Sequence, residues 1–583
     1  MDIENVLKNK IQEYLLSKYS VNFQNIEVLK TRKEFKGHFT VVLFPFLSKI
    51  KISPQKIGEE IACNLKNEYD FIHNYNVIQG FLNLEFKDSF LISLLKNNQK
   101  NYKLNLNKEL FLIEFSSPNT NKPLHLGHIR NILLGDSISR IFKEVGHDVH
   151  KTQIINDRGI HICKSMVAWI KFANNSNPKS ENLKGDEFVG KYYVKYNEEY
   201  EKQVNQLVSS GLEIDEAKIK AEIYQEAQSL LLKWENGDKK VINLWKKLNN
   251  WVYSGFAKTY KSLKVNFDSE YFESKTYLRG KEIILEGLKN KIFFQKEDNS
   301  IWVDLTSKGL DEKILLRSDG TSVYITQDIG TAILRNEDHP KMDGMIYTTG
   351  NEQDYHFKVF FEIMKLLKYS WADKLKHLSY GMVDLPSGKM KSREGSVVDA
   401  DELISDMINK AKTISEDLGK LNNIGKNEKE KLYNDIGLAA LKYHILKVDP
   451  KKRILFNPDD SIDFNGNTGP FIQYTYARIQ SLLKKDNILK DITNVELSDA
   501  EREIIIQLYD FKNILINSYD NLNPSIIANH VYDLVKSFNS FYQSKTIIGN
   551  GDINKFRLLL SQKVGLQIKK SMHLLGMDVP EKM

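Results

Sequence analysis

The chain has 583 residues, of which 41% are hydrophobic and 27% charged, so disorder is excluded as its dominant state. Its 83 basic and 76 acidic residues leave a formal charge of +7, a mild bias toward anionic partners that a mixed solvated surface explains equally well. The two cysteines, Cys63 and Cys163, exclude a disulfide framework and predict an intracellular, cytoplasmic protein. Since no apolar run reaches the ~20 residues that span a bilayer, we expect no membrane partner.

Four regions follow from the pattern of apolar residues along the chain. They are an α/β region, a second and larger α/β region, a helical connecting region and an all-α region, at 1–108, 109–400, 401–450 and 451–583. Inside the second region, residues 175–300 are polar and helical and are interpreted as an insertion. The C-terminal region has apolar residues at three- and four-residue spacing, which is typical of packed helices. The predicted fold class is therefore α/β, with a parallel-sheet domain between an α/β N-terminal domain and an all-α C-terminal domain.

A strand, a polar loop and a helix start follow one another at residues 110–128. Leu110–Phe115 is an apolar run interrupted only by Glu114, which is typical of a strand buried on both faces of a parallel sheet. After the loop, His125-Leu126-Gly127-His128 opens a helical pattern that reaches a glycine cap at Gly146. Because a helix N-terminus offers unpaired N–H groups and a partial positive charge, this arrangement predicts a phosphate site.

The side chains of this helix start suit a nucleotide. His125 and His128 lie three residues apart on one helix face, so both can point at one ligand. Gly127 lets a base or ribose approach the backbone, and Lys122 can reach the same phosphates. A histidine pair alone is more often a surface feature or a pair of metal ligands, but the preceding strand and loop favour the nucleotide interpretation.

The four residues from His125 to His128 resemble the H-I-G-H motif of class I aminoacyl-tRNA synthetases. The longer block from Glu114 to His128, continued by Ile155-Asn156-Asp157-Arg158-Gly159, is similar to arginyl-tRNA synthetases in particular. The resemblance implies a Rossmann-like catalytic domain that activates L-arginine with ATP and Mg²⁺ and transfers it to tRNA(Arg). It also implies that bound tRNA is needed for the first step. The resemblance assigns ATP binding to Lys122, His125, Gly127 and His128. It assigns a catalytic role to Lys122, His125 and His128.

A second basic segment, Gly388-Lys389-Met390-Lys391-Ser392-Arg393-Glu394-Gly395, lies well downstream. From the residues alone it is either a solvated turn or a loop that closes over a triphosphate. It resembles the K-M-S-K-S loop of class I enzymes, which implies ATP contacts from Lys389, Met390 and Ser392, with Lys389 catalytic. Ser392 stands where most class I enzymes have a second lysine; arginyl enzymes often lack it, and Lys122 fits as its substitute. How Lys122, Lys391 and Arg393 share the phosphates stays open.

The amino-acid substrate is indicated by carboxylates, because a planar cationic guanidinium calls for forked, partly desolvated acceptors. Glu114 lies in an apolar strand and would cost on the order of several kcal/mol without a partner, which is either an internal Lys or Arg or the ligand. The resemblance implies an arginine pocket with Asp328 as the guanidinium partner and Tyr324 as its packing surface. Asn119 and Gln353 are then expected to hold the α-amino and carboxylate ends, and Glu114 also belongs to the pocket.

Aromatic residues alternate with arginine at the start of the C-terminal helical region, in Phe471-Ile472-Gln473-Tyr474-Thr475-Tyr476-Ala477-Arg478. Such a helix can stack unpaired bases and contact phosphate, although aromatic residues of a helix are more often core. The resemblance implies anticodon contacts from Tyr474 and Arg478, with Tyr542 as a further candidate. It implies tRNA contacts by residues 1–108 as well, and we expect the enzyme to be a monomer.

Three alternative functions would each explain some of these motifs. A regulatory paralogue with an inactive core is disfavoured by the intact His125, His128 and Lys389. A synthetase for another amino acid, cysteine being the nearest in fold, is disfavoured by Asp328 and by the lack of clustered Cys and His ligands for zinc. A small nucleotidyltransferase with a His-x-Gly-His motif is disfavoured by the long helical C-terminal region, which such an enzyme does not need.

Overall fold

The computed structural model of the chain describes residues 2–32, 34–97, 107–384, 398–417, 425–485, 495–549 and 551–583. The helices of this described part are, in chain order, α1 (Ile3–Tyr19), α2 (Phe44–Leu47), α3 (Pro54–Glu68), α4 (Asp88–Asn97), α5 (Leu126–Val145), α6 (Ile160–Phe172), α7 (Gly185–Ser209), α8 (Ile214–Lys220), α9 (Glu222–Glu235), α10 (Lys239–Ser262), α11 (Glu273–Lys289), α12 (Tyr324–Asp338), α13 (Asp354–Leu366), α14 (Ala400–Asp417), α15 (Lys426–Leu446), α16 (Pro458–Ser461), α17 (Gly469–Leu483), α18 (Asp499–Asp520), α19 (Ser525–Ser544) and α20 (Asp552–Leu574). Its strands are β1 (Val28–Lys30), β2 (Phe39–Val42), β3 (Ile72–Ile78), β4 (Phe81–Phe86), β5 (Leu110–Glu114), β6 (Asp148–Ile155), β7 (Ser269–Phe272), β8 (Phe294–Gln295), β9 (Ile301–Val303), β10 (Lys313–Leu316), β11 (Gly344–Gly350), β12 (Leu375–Tyr380), β13 (Val383–Asp384) and β14 (Ile454–Leu455).

The N-terminal region is a four-stranded antiparallel sheet, in the order β1-β2-β4-β3, with α1 and α3 beside it. The side chain of Asp2 caps α1 by accepting the N–H of Asn5 at 3.2 Å. Four apolar residues of α1, spaced four apart, are buried: Ile3, Leu7, Ile11 and Leu15. The apolar stretches of the sequence at residues 39–43 and 80–86 contain β2 and β4, which pair with each other.

The central sheet has five parallel strands in the order β12-β11-β5-β6-β7. β5 is the first of these in the chain, yet it lies in the middle, with later strands on both sides. The connection therefore changes direction between β5 and β11, which is the switch point where open α/β sheets bind ligands. Phe111 and Ile113 of β5 face one core cluster and Leu112 faces another, so the predicted strand buried on both faces is confirmed.

The range predicted as an insertion contributes directly to the central sheet. Helices α7 to α10 follow one another there, and then β7 (Ser269–Phe272) pairs with β6 as the edge strand of the parallel sheet. The next strands, β8 and β9, form a separate antiparallel sheet with β10. This part of the chain is therefore not wholly helical, because β7 separates α10 from α11 (Glu273–Lys289) and joins the central sheet.

The C-terminal part is helical, as predicted, and the N-terminal region packs against it. Arg502 on α18 binds both carboxylate oxygens of Asp88, at 2.8 and 3.0 Å, and the backbone N–H of Ile3 donates to the hydroxyl of Tyr509 at 2.8 Å. Such a bidentate arginine–carboxylate pair fixes orientation as well as proximity. Within the described ranges, no helix is long and apolar enough to cross a membrane.

Candidate active site

The loop that follows β5 has an unusual backbone. Ser116 and Ser117 both have positive φ, 76° and 44°, a conformation that non-glycine residues rarely adopt and that is often found at functional sites. Asn131 on α5 holds this turn by accepting the N–H of Ser116 at 2.5 Å. Asn156, after β6, donates its backbone N–H to Pro118 at 2.9 Å. The ends of two neighbouring strands are thus tied together at the switch point.

His125 and His128 are arranged by the start of α5 itself. The Nδ1 atom of His125 accepts the N–H of Gly127 at 3.2 Å, and the Nδ1 atom of His128 accepts the N–H of His125 at 3.1 Å. The two rings lie 3.9 Å apart between centroids. Because each Nδ1 accepts a hydrogen bond, the proton of each neutral ring is on Nε2, which makes both rings N–H donors.

Both imidazoles are neutral at physiological pH. Burial, together with the charge of Lys122, lowers the pKa of His125 to about 3. Burial, His125 and Lys122 together lower the pKa of His128 well below its ordinary value. A Cβ atom at Gly127 would lie 3.0 Å from Cε1 of His125, so glycine preserves the arrangement of the rings. The helix start therefore offers two neutral donors beside one cationic lysine.

Lys389, Met390 and Ser392 lie outside the described residues, as do Lys391 and Arg393. The described residues on both sides of that segment are anchored to α5. Before it, the buried guanidinium of Arg130 donates to the carbonyl of Gly381 at 2.6 Å and to Pro450 at 2.9 Å. After it, Asp399 pairs with His125 as an isolated bridge, and the N–H of Leu126 donates to Val398 at 3.4 Å. The described residues that flank the predicted second ATP-binding segment, at 381–384 and 398–399, thus lie beside α5.

The sequence left two partners open for Glu114, and the structure contains the internal one. A carboxylate oxygen of Glu114 accepts a hydrogen bond from Arg335 on α12, and the other accepts the hydroxyl of Ser117 at 3.1 Å. Both charged side chains are buried. Burial opposes the charge of Arg335, but Glu114 raises the pKa of this guanidinium above its ordinary value. Glu114 therefore has a structural ion pair, and its role as an arginine ligand stays a prediction.

Asp328 lies one helical turn after Tyr324 on α12 and is one-third exposed. Its Oδ2 atom is 2.5 Å from Nε2 of His356 on α13, which follows β11. Burial opposes protonation of this imidazole, but the hydrogen bond and charge of Asp328 raise the pKa of His356 above its ordinary value. Asp328 is therefore not surrounded by solvent, and among the described residues its partner is His356 and not a Lys or Arg.

A second carboxylate, Glu273, was not singled out from the sequence. It is buried at the end of β7, where Nε2 of Gln327 donates to it at 2.6 Å. Its pKa is raised to about 7, mainly by burial and also by the charges of Asp157 and Asp328, against a lowering effect of Arg158. Its position directly after a parallel strand was a usable signal, but the strand has only four residues and lies in a region interpreted as an insertion.

The remaining predicted pocket residues lie at the rim. Asn119 follows β5 and is exposed, and Gln353 ends the short 3₁₀ turn directly after β11. The side chain of Tyr324 is 78% exposed at the start of α12. Since β5 and β11 are adjacent, these side chains border the same switch point as the histidines. Their assignment to the ends and the packing surface of arginine stays a prediction.

The three predicted tRNA-binding residues come together in the C-terminal helices. The guanidinium of Arg478 on α17 lies between two aromatic rings, 5.0 Å from the centroid of Tyr474 and 4.9 Å from that of Tyr542. Asn539 fixes it by accepting a hydrogen bond at 2.7 Å. All three predicted residues are partly exposed. An arginine guanidinium packed against two aromatic rings is suited to stacking against an unpaired base.

Comparisons with known families cover nearly the whole chain. Residues 91–457 match the family described as tRNA synthetases class I (R), catalytic domain. Residues 472–583 match the DALR anticodon binding domain, and residues 1–86 match the arginyl tRNA synthetase N terminal domain.

Curated relatives match this chain in sequence along their full length. The chain is 50% identical to a protein named arginine–tRNA ligase from Flavobacterium psychrophilum and 49% identical to one of the same name from Phocaeicola vulgatus, with 100% of each chain covered. Among solved structures, it resembles the Thermus thermophilus arginyl-tRNA synthetase, with a TM-score of 0.81, 23% identity and complete coverage of both chains. The Plasmodium falciparum arginyl-tRNA synthetase gives a TM-score of 0.78 at 23% identity, covering 100% of this chain and 99% of the other. These two structures support the fold.

Proposed function

The chain belongs to the arginyl-tRNA synthetase family of class I aminoacyl-tRNA synthetases, and on this basis we propose that it joins L-arginine to tRNA(Arg) with the cleavage of ATP to AMP and diphosphate. Family membership rests on the catalytic-domain match over residues 91–457 and on the relatives of about 50% identity. The proposal includes the cytoplasm as the place of the reaction, where translation uses the charged tRNA, and a monomer as the working form.

One observation carries the proposal. Side chains of opposite chemistry follow strands of the central parallel sheet: neutral N–H donors and Lys122 near the start of α5, after β5, and the carboxylates of Glu273, directly after β7, and of Asp328, which bonds His356 after β11. A polyanionic nucleotide suits the first group, here named the ATP half-site, and a cationic amino acid suits the second. A site that must bring ATP and arginine together needs both.

In the first step, the arginine carboxylate attacks the α-phosphorus of ATP, and diphosphate leaves as the arginyl–adenylate bond forms. Negative charge grows on the α-phosphate oxygens and on the leaving group. The Nε2–H donors of His125 and His128 stabilise this charge without a charge of their own, while Lys122 supplies a cation. We assign a similar cationic role to Lys389. No protein nucleophile is needed, because catalysis consists of positioning and electrostatics.

In the second step, the terminal ribose hydroxyl of tRNA attacks the arginyl carbonyl. An ester forms to the tRNA, AMP departs, and the hydroxyl proton leaves with it or passes to solvent. As in class I enzymes generally, we assign the attack to the 2′-hydroxyl. The described residues that border this region, among them Asn119 and Gln353, then hold the two ends of arginine so that its carbonyl faces the incoming ribose.

Mg²⁺ enters with ATP in this proposal. Mg²⁺ is commonly held by substrate phosphates and several waters, with only one or two protein carboxylates. Among the described residues, no group of three or more His, Cys, Asp or Glu side chains is arranged to hold a metal ion. When bound, the ion neutralises charge on the phosphates, while Lys122 and the histidines orient the same oxygens.

Selectivity for arginine follows from the acceptors. The planar guanidinium can satisfy Asp328 and a second acceptor, for which Glu273 is suitable, whereas the ammonium of lysine cannot pair with forked acceptors and leaves one carboxylate unsatisfied. A site built to hydrogen-bond a substrate rejects an analogue that lacks the groups by factors of about 10⁴ or more. We therefore expect lysine and ornithine to be poor substrates.

The experiment is charging of total tRNA with each of the twenty labelled amino acids, together with ATP–diphosphate exchange with and without tRNA. We expect incorporation of arginine alone, and exchange that requires tRNA. Incorporation of another amino acid in place of arginine would contradict the proposal. Charging of tRNA with several amino acids as readily as with arginine would contradict the assignment of Asp328 and Glu273 to the arginine pocket.

A further inference from the structure

Helix α10 (Lys239–Ser262) has a charge composition unlike that of the other long helices. Its 24 residues include no Asp or Glu and six lysines: Lys239, Lys240, Lys246, Lys247, Lys258 and Lys261. Within the described ranges, every other helix of 17 or more residues contains at least one acidic residue. Lysine is abundant throughout the chain, but that alone does not account for a long helix without any acid.

All six lysines are on one side of α10, here named the α10 lysine face. At 100° per residue they fall within an arc of about 120°, and each of them is exposed. The opposite side is buried through residues such as Val241, Leu248 and Val252. Between the lysines the exposed positions are small or amide residues, namely Asn243, Asn250, Ser254 and Ala257. The face therefore lacks the large apolar side chains that an interfacial membrane helix would insert.

The carboxylate of Asp238, at the N-cap of α10, interacts electrostatically with Lys240, but it does not form an ion pair with the α10 lysine face. None of its six lysines forms an ion pair with a described residue. By contrast, lysines of the neighbouring α7 are paired, as in Lys191 with Glu181 at 2.7 Å and Lys195 with Glu198 at 3.0 Å. Like charges one turn apart, as at Lys258 and Lys261, repel each other. A bound polyanion would offset this repulsion.

The buried side of α10 contacts the candidate active site in two places. Nε1 of Trp245 donates to the carbonyl of Asp157 at 2.6 Å, and the hydroxyl of Tyr253 donates to the carboxylate of Asp157 at 3.0 Å. Near the end of the helix, Thr259 donates to Asp401 at 3.0 Å, two residues after Asp399, which pairs with His125. At 100° per residue, Tyr253 lies about 20° from the edge of the α10 lysine face and Thr259 lies on the opposite side, so the face is within roughly one helix diameter, about 10–12 Å, of these contacts.

We propose that the α10 lysine face binds the phosphate backbone of tRNA next to the 3′ end that enters the site. The inference rests on the proposed function, because the terminal ribose must reach the adenylate and the preceding phosphates must then cross the wall of the site. At 1.5 Å per residue, α10 is about 36 Å long, enough to follow several phosphates. Contacts of this kind are electrostatic and independent of base sequence.

The test is a salt series of tRNA binding to the full-length protein. The triple variant Lys246→Gln/Lys258→Gln/Lys261→Gln removes three charges and keeps good helix-forming side chains, so α10 stays intact. Its affinity for tRNA at low salt is expected to fall on the order of 10- to 100-fold, and the slope of log affinity against log salt concentration is expected to become shallower by about 2 to 3. The Michaelis constants for ATP and arginine are expected to stay unchanged.

The matched control is Lys281→Gln/Lys289→Gln/Lys291→Gln, three exposed lysines on or after α11, where Glu282 and Glu286 are interspersed. It is expected to keep the wild-type affinity and slope, and Lys246→Arg/Lys258→Arg/Lys261→Arg is expected to keep both as well. An unchanged slope in the Gln variant, or an equal change in the control, overturns the inference. These results are distinguishable from failure of the proposed function, in which the wild-type protein itself charges no tRNA with arginine.

Discussion

The Nε2 atom of His356 lies 2.5 Å from Oδ2 of Asp328, and this pair joins α12 to α13 beside the end of β11. The pair has a functional consequence, because the carboxylate that we assign to the substrate guanidinium also serves as the partner of a titratable base. Burial opposes the charge of the imidazole, yet Asp328 raises the pKa of His356 above its ordinary value of about 6.5. The protonated His356 and the substrate therefore compete for one carboxylate.

We predict that arginine binding weakens as the pH falls through the raised pKa of His356. Charged His356 then holds Asp328 more tightly, so the Michaelis constant for arginine is expected to rise as the pH is lowered through the raised pKa of His356. Protonation of Glu273, whose pKa is about 7, acts in the same direction. The variant His356→Asn should therefore lose only part of the pH dependence of the Michaelis constant for arginine. The double variant His356→Asn/Glu273→Gln should lose nearly all of it. A pH profile identical in all three proteins would contradict the assignment.

The same pair affects folding with a defined sign. Because the pKa of His356 is raised in the folded protein, its pairing with Asp328 stabilises the fold fully below the unfolded pKa, and this contribution is lost as the pH rises through the folded pKa. The difference in melting temperature between wild type and His356→Asn should accordingly be larger at about pH 5.5 than at about pH 8.5. An equal difference at the two pH values would show that the pair is not titrating.

Replacing His128 by Ala is expected to lower the rate of arginine activation about 100- to 1,000-fold, with a modest effect on tRNA affinity. The reason is the loss of one preorganised Nε2–H donor to charge that develops in the transition state. Because the pKa of His125 is about 3 and that of His128 is also lowered, we expect no inflection from this pair near pH 6.5 in the ATP dependence. ATP–diphosphate exchange in the presence of tRNA, measured over a range of pH, tests both the rate loss and the absence of an inflection. A near-normal rate would contradict the catalytic role of His128. The variant His573→Ala in α20 is the control.

Breaking the ion pair between Glu114 and Arg335 is expected to destabilise the protein strongly. Either Glu114→Gln or Arg335→Met leaves a buried charge without its partner, at a cost of about 3–5 kcal/mol in the free energy of unfolding. The double variant should cost clearly less than the sum of the two, which equilibrium urea unfolding can measure. The exposed pair of Lys218 and Asp215 is the matched control, and Lys218→Met is expected to leave the urea midpoint unchanged. Additive single effects would mean that Glu114 and Arg335 do not interact.

The layered arrangement of Tyr474, Arg478 and Tyr542 predicts a specific pattern for tRNA affinity. Tyr542→Ala removes a ring that supports the guanidinium of Arg478 and should raise the Michaelis constant for tRNA roughly 10-fold, since base–aromatic stacking contributes about 1–3 kcal/mol. Tyr542→Phe keeps the ring and serves as the control, with affinity close to wild type. Steady-state charging at limiting tRNA measures the effect. Equal losses in Phe and Ala variants would instead indicate that the hydroxyl is what matters.

The sequence predicts the segment from β5 to Gly146 well, because the signals there are local. An apolar run, a polar loop and a glycine in the left-handed conformation at the end of α5 each depend on neighbouring residues only. The pairing of Glu114 with Arg335 could be stated only as an alternative, since the partners are 221 residues apart. Glu273 was missed because β7 has four residues and takes its identity as a strand from pairing with β6, which no local pattern reveals.

The central claim is that the cationic side chain of the substrate arginine binds the acidic groups Asp328 and Glu273 next to the ATP half-site. Calorimetric titration with arginine and with citrulline, its neutral analogue, tests this claim most directly. With tRNA present at pH 7, we predict that arginine binds at least 100-fold more tightly than citrulline and releases up to about half a proton as Glu273 ionises. Asp328→Asn should abolish the preference, and Glu273→Gln should abolish the proton release. Equal affinities of the wild-type protein for arginine and citrulline would contradict the account.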